Sequence, residues 1–213
     1  MELTESSVRE YAREYAAREP LYAVEQEHVE ILPATFAGAE YGRRDVEWVV
    51  QWYFRRYLGA YPDKRRRERE ERFRTNDFGT VLDTLSTVAE RPGEPAANLR
   101  QLTELDGVGV PVASAFLQFT FPERYVTVDA RLWETLRECG ELDEPYPDAR
   151  GVEEYLEFDE ACQRLAERIG VDAWTLYRGL WRAWKDGRGE APSVEGEGQP
   201  SVEERRDSAD GGR

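Results

Sequence analysis

The stretch LTELDGVGVPVASAFLQFTFPERYVTVDARLW, from Leu102 to Trp133, governs the architecture expected of the whole chain. An apolar-periodic segment ends at Leu105, the two-glycine turn Gly107-Val108-Gly109 follows, and a helix rich in small residues is predicted from Pro111. Proline suits the first turn of a helix, where its missing N–H would have no helical partner. Ala113, Ser114 and Ala115 are small enough for the helices on either side of the turn to approach closely. The backbone N–H groups of Gly107, Val108, Gly109 and Val110 then stand free at a helix N-terminus, a place suited to a phosphate oxygen. Twenty residues beyond Gly109, directly after the β-branched run Val126-Thr127-Val128, comes Asp129. Its carboxylate either N-caps a helix opening at Ala130 or faces whatever the turn has gripped.

Outward from this core the pattern is helical throughout. A first helix is predicted from Thr4 to Arg18, with Val8, Tyr11, Ala12 and Tyr15 on one face and Ser7 with Glu10 as a capping box. A second runs from Leu21 to Ile31 and stops at Pro33. The third, Asp45 to Leu58, carries a core stripe (Val46, Val49, Val50, Tyr53, Phe54, Tyr57) and a second face of Trp48, Trp52, Arg55 and Arg56. Thr75-Asn76-Asp77 caps a helix over Phe78–Ala89, and further helices follow at Ala96–Leu105, Pro111–Thr120 and Arg131–Cys139. Tyr155, Phe158, Cys162, Leu165 and Ile169 mark a helix closed by Gly170, and Trp174, Tyr177, Trp181 and Trp184 form the core stripe of the last, Asp172 to Lys185. The expected fold is an all-α bundle of about eight helices in one domain, residues 1–186. Residues 187–213, dominated by Gly, Pro, Ser and Glu, read as a disordered acidic tail.

The 213 residues are rich enough in apolar and aromatic side chains to build one core. No apolar run approaches a membrane span, MELTESSVRE has no signal-peptide pattern, and Cys139 and Cys162 read as free thiols. The expectation is a soluble cytoplasmic protein. Net charge is −15, with 27 arginines and only two lysines, Lys64 and Lys185. An acidic surface nearly devoid of lysine is what keeps a chain soluble in concentrated salt, so a halophilic origin is expected. Against that background residues 43–74 carry 11 basic and 6 acidic side chains. Such a block either steers a phosphate backbone or is a solvated helix of Glu–Arg pairs. The single histidine, His28, sits among glutamates and is expected to be exposed.

Residues 102–133 resemble the helix-hairpin-helix of the DNA glycosylase superfamily that includes endonuclease III and the adenine-mismatch and alkyl-base glycosylases. Their hairpin reads roughly L-P-G-V-G-x-K-T-A, followed by V-D at the catalytic acid. Here the matching residues are Leu105 to Ala113 and Val128-Asp129. A group of short uncharacterised members sharing GVGVPVASA and PERY is more similar still. The resemblance implies a DNA-glycosylase-like bundle and a catalytic Asp129 in base excision repair, acting on damaged or mispaired bases in duplex DNA. It also implies a hairpin that holds a phosphate, with a monovalent cation between its carbonyls and the DNA.

Departures narrow that implication. Pro111 stands where bifunctional members carry the lysine nucleophile, so no lyase step is expected. Arg131 replaces a histidine common two residues after the acid, and two cysteines cannot hold an iron–sulfur cluster. What remains is a monofunctional N-glycosylase. Asp129 would stabilise positive charge on the sugar, and Trp48, Trp52 and Tyr125 are candidates for the pocket of an extruded base. Arg55, Arg56, Arg65, Arg66 and Arg131 are candidate DNA contacts. The alternative is a non-catalytic module that uses the hairpin and the basic block to hold DNA or a protein. No cluster has metal-ligand spacing.

Overall fold

Residues 112–120 are all buried, and the rest of the chain is arranged around them. The computed structural model describes residues 2–148 and 150–188. Among these, ten helices follow one another: α1 (Glu5–Arg18), α2 (Tyr22–Ala37), α3 (Arg43–Arg55), α4 (Asp63–Arg74), α5 (Phe78–Ala89), α6 (Pro95–Leu102), α7 (Val110–Thr120), α8 (Ala130–Glu138), α9 (Val152–Ile169) and α10 (Ala173–Arg188). No strand occurs among the described residues, and the fold is an all-α bundle. A helix apolar on every side needs neighbours on every side. α7 has α2, α3, α6 and α9 packed about it.

Local chemistry explains most boundaries. Asp77 caps α5, its side chain accepting the Thr80 N–H at 3.0 Å. Gly170 closes α9 in the left-handed conformation, φ +69°. Trp174, Tyr177, Trp181 and Trp184 on α10 are all buried, as their spacing predicts. α10 lies against α1, and Gly179 makes the approach possible: a Cβ there would stand 2.7 Å from Val8 Cγ1.

The cap of α1 and the ends of α2, α3 and α6 differ from expectation. The capping box of α1 pairs Thr4 with Ser7, not Ser7 with Glu10: Thr4 Oγ1 accepts the Ser7 N–H at 3.2 Å while Ser7 Oγ accepts the Thr4 N–H at 2.9 Å. α2 runs through Pro33 to Ala37. Proline there removes one helical donor, but Leu32 and Phe36 are buried on either side and hold the helix in register. α3 ends at Arg55, since Leu58 takes φ +52°. α6 stops at Leu102, so the chain reaches the Gly107 turn through tighter bends. Gly187 and Arg188 belong to α10, whereas residues 189–213, most of the expected tail, lie outside the described residues. No described helix is long and apolar enough to cross a membrane.

Candidate functional site

The turn between α6 and α7 is held from below. Gly107 has φ +83°, and a Cβ there would lie 2.7 Å from the Arg69 carbonyl oxygen and 2.8 Å from the Phe73 nitrogen. Both are backbone atoms of α4, so only glycine fits. Asn76, between α4 and α5, completes the seat: its Oδ1 accepts the Asp106 N–H at 2.9 Å and its Nδ2 donates to the Asp106 carbonyl at 3.0 Å. Gly109 is the N-cap of α7 and supplies no side-chain bond, while the Val108 N–H, expected to stand free, donates to the Leu105 carbonyl at 3.1 Å. The first-turn amides of α7 therefore have no acceptor inside the helix. They border a cleft of ≈ 250 Å³ whose other walls include Arg69, Arg150, Asp148, Tyr53 and Phe54. Arg69 is exposed, and Arg150 donates to the Asp148 carbonyl at 3.0 Å and stacks on Tyr146.

The same helix positions the segment leading to Asp129. Ser114 Oγ donates to the Pro111 carbonyl at 2.7 Å and accepts the Val128 N–H at 3.0 Å. One turn on, Gln118 Oε1 accepts the Thr127 N–H at 2.8 Å. Two polar side chains on a largely apolar helix thus satisfy amides of a buried extended segment.

Asp129 itself points inward and is 1% exposed. Oδ1 accepts the Leu132 N–H at 2.8 Å, capping α8. Oδ2 forms an ion pair with Arg56 Nη2 at 2.8 Å and accepts the Tyr57 hydroxyl at 3.2 Å. Arg56 lies among the rings of Trp52, Tyr53, Tyr57, Tyr177 and Trp181, with centroids 4.7–5.9 Å away. Burial opposes its charge, but Tyr57 and Asp129 outweigh that and hold the guanidinium well above the ordinary arginine pKa. Arg131 is also interior, 4.5–4.9 Å from the rings of Tyr57, Trp181 and Trp184. Burial lowers its pKa despite the nearby Asp129, and its Nη2 has no hydrogen-bond partner among the described residues. One carboxylate thus sits beside two buried guanidiniums inside an aromatic shell. Such a group has both oxygens engaged and almost no surface open to a ligand.

Several candidate residues fall elsewhere than expected. Arg56 and Arg131 are not surface contacts for DNA, because the aromatic core encloses both. Arg66 is engaged by Asp63 at 3.1 Å and Glu70 at 2.9 Å, and Arg55 lies 3.7 Å from Glu70. Arg65 is exposed, as are Arg69 and Arg72, and none of the three forms an ion pair among the described residues. Within α4 the basic block is therefore divided: much of the helix is a solvated Glu–Arg ladder, and these three charges are left over. Trp52 and Tyr125 are not walls of a base pocket. Trp52 donates to buried Glu25 at 2.7 Å, and the Tyr125 hydroxyl donates to the Pro92 carbonyl. Trp48 is half-buried and stacks on His28, centroids 3.5 Å apart, so His28 is not simply exposed.

Glu25 carried no signal in the sequence, yet it is fully buried, with Tyr15 donating at 2.8 Å in addition to Trp52. Burial raises its pKa even against those donors and Arg56. Arg150 was equally silent, whereas Arg69 belongs to the basic block of residues 43–74, which gave no sign that it would meet the turn. Among the described residues no group of three or more His, Cys, Asp or Glu could hold a metal. No family model, no curated protein and no solved structure matches the chain.

Proposed function

We propose that this protein is a non-catalytic helix-hairpin-helix module that binds DNA through a backbone phosphate. The phosphate would sit at the N-terminus of α7, between the Gly109 and Val110 amides and the guanidiniums of Arg69 and Arg150, with Arg65 and Arg72 extending the positive surface. The observation that carries this reading over the hydrolytic one is the contrast between two neighbouring features. The turn borders an open cleft lined by two arginines, whereas both Asp129 oxygens are occupied inside the core. A carboxylate that must stabilise a sugar cation needs an open approach of a few ångströms to the reacting ring. Phosphate contacts of this kind position a duplex without reading its bases.

The test is duplex binding measured by fluorescence anisotropy across a salt series. Arg69→Gln is expected to weaken binding uniformly across sequences and to reduce the slope of log K against log salt by about 1. In parallel, oligonucleotides carrying uracil, alkylated or oxidised bases are expected to release no base. Base release that disappears in Asp129→Asn would replace this proposal with a monofunctional glycosylase. Absence of any duplex affinity would remove both.

A further inference from the structure

A larger cleft, ≈ 540 Å³, shares no residue with the Gly107 turn. α1 contributes Ser6, Arg9 and Arg13 to it, α10 contributes Thr175 and Arg178, and Tyr22 stands at the start of α2. Positions 6, 9 and 13 share one face of a helix. None of the residues lining the cleft is acidic, in a chain with 44 acidic and 29 basic side chains.

The arginines here are also provided for differently from others in the molecule. Half-buried Arg182 has Glu14 at 3.2 Å, Glu19 at 3.8 Å and Asp186 as partners, and Arg56 has Asp129. Arg178 is half-buried and has only neutral partners: the Trp174 carbonyl at 3.3 Å, Thr175 Oγ1 at 3.2 Å, and the rings of Trp174 and Tyr22. Asp172 is reached only through the Thr175 hydroxyl, which donates to it at 2.9 Å. Arg9 is fixed by Glu5 at 2.9 Å and by the Gly170 carbonyl at 3.0 Å. Arg13 forms no ion pair among the described residues and is exposed. Three guanidiniums thus line one recess, with Glu5 as the sole carboxylate in contact with any of them among the described residues.

We propose that this cleft binds an oligophosphate chain, either free or as the tail of a nucleotide. Planar guanidinium forks suit phosphate oxygens, and stacking on Trp174 and Tyr22 fixes the plane of Arg178 in advance. The recess is much larger than one phosphate group, and its three cations match a chain of several. Ser6 adds a hydroxyl on the same wall.

Calorimetric titration of the full chain with sodium tripolyphosphate, and separately with adenosine triphosphate, tests this. One molecule is expected to bind at this cleft per chain, and Arg13→Gln is expected to weaken that binding about tenfold or more. Arg13 is exposed, so this variant keeps the fold; Arg178→Gln should weaken binding further, with folding checked by circular dichroism. Equal affinity for both probes would place recognition on the phosphates alone, and tighter nucleotide binding would add a base contact; either supports the proposal. Arg69→Gln should leave the Arg13-dependent component of both titrations unchanged, which separates this cleft from the DNA surface. No saturable binding at millimolar probe, or binding indifferent to Arg13→Gln, would overturn it. So would a loss of duplex affinity in Arg13→Gln as large as in Arg69→Gln, which would assign the cleft to the DNA backbone.

Discussion

Replacing Asp129 by asparagine separates the two roles an acid could have at this position. Asparagine keeps an oxygen for the Leu132 N–H, so the α8 cap, worth about 1 kcal/mol, survives. What disappears is the charge 2.8 Å from Arg56 Nη2, leaving Arg56 and Arg131 both buried without a counter-ion on this side. Removing one partner of a buried pair costs about 3–5 kcal/mol. Asp129→Ala should cost about 1 kcal/mol more, since it also loses the cap. Set against a domain stability of about 5–15 kcal/mol, either change is large. The assay is urea unfolding followed by tryptophan fluorescence at fixed pH and salt, comparing wild type, Asp129→Asn, Arg56→Met and the double variant. The double variant should lose less than the sum of the singles, because no charge of that pair is then stranded. A poised catalytic acid behaves in the opposite way, since active-site groups are commonly held at a cost and their removal is neutral or stabilising. A loss below about 1 kcal/mol in Asp129→Asn would therefore refute the structural role and return the acid to catalysis.

Three further outcomes are expected. Asp159 on α9 is buried, one carboxylate oxygen lacks a partner, and burial pushes its pKa up from 3.8 to about 6. The folded chain retains a proton that the unfolded chain sheds, so this contribution is greatest below about pH 4. About 3 kcal/mol of it is lost as pH rises through about 6. The difference in unfolding free energy between wild type and Asp159→Asn should follow that course, and a difference flat with pH would refute it. Gly107→Ala forces a left-handed φ and a clash with α4 backbone, for a loss of at least about 2 kcal/mol. Gly109→Ala, whose Cβ would meet nothing nearer than 3.8 Å, should cost under about 1 kcal/mol yet weaken duplex binding. Paired melting and anisotropy measurements distinguish the two glycines. Gly179→Ala pushes a methyl into Val8 and should lower stability by about 1–3 kcal/mol in the same melts; an unchanged midpoint would show that α1 and α10 have room to part.

Features whose cause lies within one helical turn were legible from the sequence. Asp77 capping α5, Gly170 closing α9 and the aromatic stripe of α10 each follow from residues three or four apart. Asp129 belongs to the same class as a cap, and its place before α8 was readable. Its ionic partner was not, because Arg56 comes from α3 side and reaches it only through the packing of the intervening helices. Arg56 caps the end of an amphipathic helix beside another arginine, where sequence pattern alone cannot tell a buried guanidinium from a snorkelling one. Pro33 misled for a related reason: local propensity ends a helix there, while burial of Leu32 and Phe36 continues it. The cleft at the turn joins residues from positions 53 to 150, so its arginines had no local spacing to reveal them.

The contact of Val8 with Gly179 bears on how the chain is made. α1 precedes α10 on the chain by the length of every other described helix, and its apolar face of Val8, Ala12 and Tyr15 is covered by α10. Non-local closure of this kind slows folding, and a waiting apolar face is open to misassociation. The nascent protein must therefore carry that face uncovered while α2 to α9 are synthesised. A product interrupted before Ala173 would display it permanently, as a target for chaperones and proteases.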